Sequence, residues 1–330
     1  MTIRLADETL DPPVFLAPLA GITDLPFRRI VARFGAGLLV SEMVASQEVV
    51  QGRALARARA ELGLAEGGTP TAVQIAGREA HWMAEAARWA ESNGARIIDI
   101  NMGCPARKVT NGWSGSALMR EPDHALRLIE AVAGAVSVPV TLKTRLGWDH
   151  DSLNAADIAA RAVGAGVAMV TIHGRTRCQF YKGRADWAAI APVVAAVAVP
   201  VVANGDILDA EDARAALAAS GAAGVMVGRG AQGRPWALAE IAAALTGAPA
   251  PQIPQGAALA ELACEHHAAM LSFYGADLGL RIARKHMGWY MEAAGADPAA
   301  RAAILTAADA AAVHRLLRHA LADAPRREAA

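Results

Sequence analysis

Eight short apolar runs, nearly all closed by a polar residue or a glycine, recur along the first two-thirds of the chain. They lie at 14–17, 38–42, 71–75, 97–101, 138–143, 168–173, 199–204 and 224–228. Alanine-rich stretches with helical periodicity separate most of them, at 79–92, 123–136, 154–163, 209–219 and 234–245. Asp123 and Asp209 stand where a helix needs an N-cap, and Pro235 suits a first helical turn. Strands that alternate with helices pair in parallel through right-handed crossovers. Eight such units in about 240 residues predict an α/β fold with a closed (β/α)8 TIM barrel rather than an open sheet.

The runs stop near residue 228, and Pro249, Pro251 and Pro254 then read as a linker. Three helical stretches follow, at 255–274, 280–293 and 301–321, and predict a small all-α bundle. The expected domains are therefore a barrel over 1–248, a linker over 249–254 and a helical domain over 255–330.

Several classes of protein are excluded at this level. No run approaches the roughly 18 uncharged apolar residues of a membrane span. The first ten residues carry Asp7 and Glu8 and lack the layout of a signal peptide. A cytoplasmic protein with no membrane association and no stable protein partner is expected. Cys104, Cys178 and Cys264 are far apart, with no Cys-x-x-Cys pair and no histidine pair at metal spacing. Neither a disulfide framework nor a metal site is predicted. The net charge of zero means that any nucleic-acid contact must come from a local patch.

Barrel enzymes build their sites at the C-terminal ends of the strands. Here those ends carry Pro18-Leu19-Ala20-Gly21, Ser41-Glu42, Gln74, Asn101, Lys143 with Arg145, His173, Asn204-Gly205-Asp206 and Gly228-Arg229-Gly230. One buried histidine or asparagine is usually a satisfied core residue. Polar groups at nearly every strand end describe the lining of one mouth. The last two ends supply glycine amides and a guanidinium, a recurring phosphate-binding device after strands seven and eight. Gln74 suits the pyrimidine edge of a flavin. Lys143 suits N1 and O2, where negative charge gathers on reduction. There is no Gly-x-Gly-x-x-Gly after the first strand, so a nicotinamide would visit rather than reside. Cys104, in the loop after Asn101, is a nucleophile, a general acid or an incidental thiol. An ordinary thiol is mostly protonated at neutral pH, which suits proton donation.

Taken in order, these segments resemble the tRNA-dihydrouridine synthases. The motifs are APLAGITDLPFR at 17–28, DINMGCP at 99–105, KTRLGW at 143–148, IHGRTR at 172–177, ANGDI at 203–207 and VGRGAQGRPW at 227–236. IARKHMGWY at 282–290 is similar to a stretch of the bacterial B-type members. The resemblance implies FMN as cofactor, NADPH as reductant and a uridine of the tRNA D-loop as substrate, with U17 as the B-type position. It implies hydride transfer from flavin N5 to uracil C6 and a proton from Cys104 to C5. Pro18, Leu19, Ala20, Gln74, Lys143, His173, Asn204, Gly205, Asp206, Gly228 and Arg229 are expected around FMN, and Asn101 and Arg145 at the uracil. Two positions depart from the pattern: Leu19 stands where Met is common, and Trp113 is bulkier than usual in the Cys104 loop.

Two basic clusters are candidates for RNA. Arg175, Arg177, Lys182 and Arg184 follow the sixth strand together with Phe180 and Tyr181, which are able to stack on an unpaired base. Arg281, Arg284 and Lys285 share one helical face, and Arg315, Arg318, Arg326 and Arg327 gather further on. The C-terminal segment is similar to the family's tRNA-gripping bundle. The rival readings are an FMN barrel acting on free pyrimidines or dihydroorotate, a retired barrel that only binds RNA, and a flavin-free barrel acting on sugar phosphates.

Overall fold

The computed structural model describes residues 2–62 and 68–322; Arg326 and Arg327 of the second basic cluster lie outside them. A short antiparallel hairpin, β1 (Ile3–Leu5) with β2 (Glu8–Leu10), opens the chain. It precedes β3 (Val14–Leu16), β4 (Leu38–Val40), β5 (Val44–Ala45), β6 (Thr71–Ala76), β7 (Ile97–Asn101), β8 (Val140–Arg145), β9 (Val167–His173), β10 (Val201–Asn204) and β11 (Gly224–Val227). Every pairing from β3 to β4, β6 and on through β11 is parallel, and β11 pairs back with β3. The sheet closes into the predicted eight-strand barrel wrapped in helices. The run at 38–42 forms strand only over Leu38–Val40, and β5, beyond it, is a separate two-residue piece beside β6.

A strand in a closed parallel sheet sends alternate side chains to opposite sides. One set, including Val14, Leu16, Leu39, Val73, Ile98, Val170, Ala203 and Val225, packs against the surrounding helices. The other set forms a second cluster: Phe15, Leu38, Val40, Ala72, Ile97, Met169, Val202 and Met226, closed at the hairpin end by Ile3, Leu5 and Leu10. Two residues further along the same parity come Gln74, Asp99 and Asn204, then Asn101. Lys143 and His173 keep that parity on β8 and β9. The barrel interior is apolar at its N-terminal end and polar at its mouth because the sequence changes character along a single face of each strand.

The helices differ from expectation at particular residues. Asp209 does cap, its Oδ1 accepting the Asp212 N–H at 2.9 Å. Asp123 does not. Pro122 opens the helix Pro122–Ala133, and the Asp123 carboxylate pairs with Arg161 instead, at 2.6 Å. Pro235 sits in the turn before Ala237–Thr246 rather than inside that helix. The stretch at 301–321 is two helices, Pro298–Thr306 and Ala310–Ala322, because Asp309 starts a new one by accepting the Ala312 N–H at 2.8 Å. A helix absent from the sequence reading, Leu25–Phe34, is capped by Asp24, whose Oδ1 takes the Phe27 N–H at 3.0 Å.

The C-terminal helices Gly256–Tyr274, Ala276–Ala293, Pro298–Thr306 and Ala310–Ala322 share a core that includes Ile30 and Trp236 from the barrel side. Asp24 also accepts the Tyr274 hydroxyl hydrogen bond at 3.0 Å, tying the helices to the loop after β3. Among the described residues no helix is long and apolar enough to cross a membrane, and no cluster of metal-ligating side chains occurs. All three cysteines are free.

Two glycines give contrasting tests of this packing. A Cβ on Gly37 would lie 1.8 Å from the Pro12 carbonyl oxygen, at the foot of β4. Gly164, at a helix end, has nothing within 4 Å of its would-be Cβ. Gly37→Ala is expected to lower the thermal midpoint by roughly 5–10 °C, an overpacking cost of about 3 kcal/mol. Gly164→Ala is expected to leave it unchanged or raise it slightly. Thermal unfolding followed by circular dichroism distinguishes the two.

Candidate active site

The inward-facing polar residues of the mouth bond to one another. Asp99, in the middle of β7, is buried and accepts hydrogen bonds from the Thr141 hydroxyl at 2.6 Å and from Gln74 Nε2 at 2.7 Å. Asn101 Nδ2 donates to Gln74 Oε1 at 2.8 Å. Asn101 Oδ1 in turn accepts the Cys104 N–H at 3.1 Å and lies 3.3 Å from the Gly103 nitrogen. A continuous chain thus runs from the barrel interior to the backbone of Cys104. Burial pushes the Asp99 carboxyl above its ordinary pKa, opposed by Thr141, Gln74 and the Lys143 ammonium.

The Cys104 loop is held from two further sides. Arg145 Nε donates to the Gly103 carbonyl at 2.8 Å. Ser116 donates to the Cys104 carbonyl through both its hydroxyl, at 2.8 Å, and its backbone N–H, at 3.1 Å. Cys104 itself is half-buried, neither sealed in the core nor fully exposed. Ser116, Asp99 and Thr141 were missed from the sequence. The alternation of β7 and β8 is the signal that finds Asp99 and Thr141; Ser116 comes from a short 3-10 helix, Gly115–Arg120, with no such signal.

The neighbouring strand β8 and the last strand ends carry cations. Lys143 Nζ donates to Asn204 Oδ1 at 2.9 Å, and Asn204 Nδ2 donates to the Met226 carbonyl at 2.7 Å. Burial, then the neighbouring Arg145, lower the Lys143 pKa to about 8. Asp206 bonds both Arg175 and Arg229, the latter at 2.9 Å, and accepts the Ala185 N–H at 2.8 Å. Burial would raise its pKa, but these donors hold the carboxyl below the usual range. Gly205, at φ +113°, packs so close to His173 that a Cβ would lie 2.9 Å from the ring. Gly228 is open by comparison, its nearest neighbour atoms 3.6 Å away. Arg229 is half exposed. The loop after β3 is fixed by the Gly21 N–H donating to Glu42 and the Leu19 N–H to the Thr23 hydroxyl, at 2.8 Å. Pro18 and Leu19 are partly exposed beside it, and Ala20 is exposed.

Two of the basic residues expected to face RNA turn inward. Arg175 is 1 % exposed, paired with Asp206 and donating to the Lys182 and Gly183 carbonyls. It braces the loop after β9 and is removed from the surface patch, which keeps Arg177, Lys182 and Arg184. Lys285 departs from the face it was expected to share with Arg281 and Arg284. Its Nζ lies 3.2 Å from where a Gly21 Cβ would stand, and Asp24 and Glu42 counter the downward pull of burial on its pKa. Arg284 stays exposed. Tyr181 lies over the mouth, 50 % exposed, with the Arg145 and Arg229 guanidinia each 5.6 Å from its ring centre.

His173 is held neutral: burial, then Lys143, Arg145, Arg175 and Arg229, push its pKa well below 6.5. A histidine protonated more readily unfolded than folded contributes stability above pH 6.5 that is lost as pH falls towards its folded pKa. In labelled-histidine NMR its ring signals are expected to stay constant between about pH 7.5 and 5.5, well above the depressed value. Lys143→Met is expected to move the titration upward. A wild-type titration near 6.5 would contradict this geometry.

The family model for dihydrouridine synthase (Dus) matches residues 15–324. The chain is 66% identical over 330 residues to a probable tRNA-dihydrouridine synthase of Rhodobacter capsulatus, covering 100% of both chains. It is 55% identical over 310 residues to a probable tRNA-dihydrouridine synthase of Rhizobium leguminosarum bv. phaseoli, covering 93% of this chain and 95% of that one. It is 48% identical over 289 residues to the tRNA-dihydrouridine synthase B of Xanthomonas campestris pv. campestris, covering 87% of this chain and 86% of that one. Matches of this length and identity, falling on a chain whose strand ends converge on one mouth, place it: it belongs to the dihydrouridine synthase family.

Proposed function

We propose that this enzyme reduces the 5,6 double bond of a uridine in the tRNA D-loop, using FMN and NADPH, with Cys104 as the proton donor. The observation that carries the reading is the bracing of Cys104. Asn101, Arg145 and Ser116 fix its loop from three directions, and the residue is only half-buried. A general acid must hold its proton within hydrogen-bond reach of the reacting carbon, and a braced loop limits the error in that distance.

The residues present fit FMN. Gly228 leaves room for close approach at the end of β11, and Arg229 offers a half-exposed guanidinium oriented by Asp206. Asn204 and Gly205 stand beside them at the end of β10, and Pro18, Leu19 and Ala20 at the end of β3. Lys143 supplies a buried cation on the strand next to the Cys104 loop, suited to stabilising negative charge on a reduced ring. Gln74 and His173 complete the floor. FMN, reduced by NADPH, would supply the hydride that adds to uracil C6. This chain's residues then do the rest. Asn101 orients the uracil edge near the Cys104 loop, while Arg145, buried and bonded to the Gly103, Thr176 and Phe180 carbonyls, holds that loop instead of reaching the base. The thiol releases its proton to C5.

The target base must leave its stack to reach the mouth, at a cost of a few kcal/mol that a loop uridine keeps small. The helices from Gly256 to Ala322, with Arg281 and Arg284 outward, are proposed to hold the tRNA body. The B-type resemblance points to U17 as the position. Cys104→Ala is expected to retain FMN and its reduction by NADPH while tRNA reduction falls by about 10²- to 10⁴-fold. Quantifying dihydrouridine by position in tRNA from a deletion strain, complemented with wild type or the variant, checks both claims. Activity on free uracil in place of tRNA would favour the free-pyrimidine reading.

A further inference from the structure

The loop that carries Cys104 returns over the mouth through Trp113, whose backbone lies at φ +56°. Bulky L residues rarely hold that region, and they persist there only when the surroundings impose it. The indole is nevertheless half exposed, at 50 %. Trp113 cannot shift independently of the site. Its N–H bonds the Thr110 carbonyl at 3.1 Å, and Gly115, two residues on, packs so tightly that a Cβ would lie 2.9 Å from the Cys104 carbonyl oxygen.

Trp113 is the outer end of a row. The Arg120 guanidinium lies 5.9 Å from the Trp113 ring centre and 4.9 Å from that of Trp148. The Arg177 guanidinium lies 4.6 Å from the Trp148 ring centre. The row therefore joins the loop after β7 to those after β8 and β9, alternating an aromatic plate with a cation. None of the ion pairs among the described residues uses Arg120 or Arg177. The half-exposed π face of Trp113, beside cations that lack a carboxylate partner, matches an unpaired, phosphate-linked base, while Trp148 is partly buried against Arg120 and Arg177. A protein helix would instead require a continuous apolar groove.

We propose that the Trp113–Arg120–Trp148–Arg177 row is a subsite for an unpaired nucleotide flanking the target uridine, stacked on Trp113 with its phosphate towards Arg120. This rests on the tRNA reading and extends it to a particular surface. The row holds the flanking base while the target base enters the mouth beside Cys104, so its contribution is to substrate binding.

The test uses the full-length holoenzyme. Trp113→Gly removes the indole while favouring the observed φ, so the loop and Cys104 keep their positions. It is expected to raise both the Kd and the KM for tRNA by about 5- to 100-fold, with kcat, FMN content and the KM for NADPH unchanged. Trp113→Tyr is expected to restore most of the loss, and Trp113→Leu is not. Arg120→Ala is expected to reduce the salt dependence of tRNA binding by about one phosphate contact, whereas Trp113→Gly leaves that slope alone. An unchanged tRNA Kd, full rescue by Leu, or a shift in the KM for NADPH instead would each overturn the proposal. The tRNA reading is scored separately, by dihydrouridine formation in wild type. If wild type binds tRNA without reducing it, the activity assignment fails and the Kd comparison still decides the row. If wild type does not bind tRNA, both fall.

Discussion

Closure of a parallel sheet sends every second side chain into a space with little water, so polar groups placed there must satisfy one another. An unpaired buried donor or acceptor costs about 1–3 kcal/mol, and an unpaired charge more. In this barrel the demand is met by a chain of bonds from Thr141 through Asp99, Gln74 and Asn101 to the Cys104 backbone. Lys143, beside Asn101 on the next strand, begins a shorter chain that reaches Asn204. The same bonds that make a polar interior tolerable also fix where the loop after β7 sits. Stability of the barrel and placement of the thiol are therefore one problem with one solution.

The C-terminal helices take part in that solution. Asp24 both caps the helix Leu25–Phe34 and accepts the Tyr274 hydroxyl, and burial above all raises its carboxyl to about 6. Glu42 takes the Gly21 amide from below, and Lys285 approaches the same glycine from the helical side. The loop after β3, where the proposed FMN contacts Pro18, Leu19 and Ala20 lie, is thus held between the barrel and the helices. On the proposed reading, the helical part shapes the mouth as well as offering Arg284 to RNA. Arg33 and Glu265 close the outer seam with a surface ion pair at 2.6 Å, which adds little energy but lies over the shared core of Ile30 and Trp236.

The sequence was most informative where a single physical rule decides. Short apolar runs bounded by glycine and polar residues located all eight barrel strands, and β7 at Ile97–Asn101 matches its run residue for residue. They also placed the polar strand ends at one mouth. The sequence was weaker where two local rules compete. Asp123 has the chemistry of a cap, but Pro122 already starts the helix and Arg161 competes for the carboxylate. Lys285 and Arg284 are adjacent on one helix, and only tertiary packing turns one inward. Arg175 is indistinguishable from Arg177 in sequence. Asp206, thirty-one residues away, decides which of the two is buried. Ser116 sits beyond any periodic signal, in a short 3-10 helix that Gly115 packs against Cys104.

The arrangement also bears on why a thiol would suit the proposed step better than a carboxylic acid or an imidazole. The mouth concentrates Lys143, Arg145, Arg175 and Arg229, whose field, together with burial, holds His173 neutral. A histidine general acid here would have lost its proton at neutral pH. A carboxyl at the rim of these cations is held below its usual range, as in Asp206, and one sunk beneath them is tied up by Thr141 and Gln74, as in Asp99. An ordinary thiol holds its proton at neutral pH, the state from which a proton donor must start. The cationic mouth that would favour an anionic cofactor and a polyanionic substrate thereby restricts which side chain is able to serve as the acid.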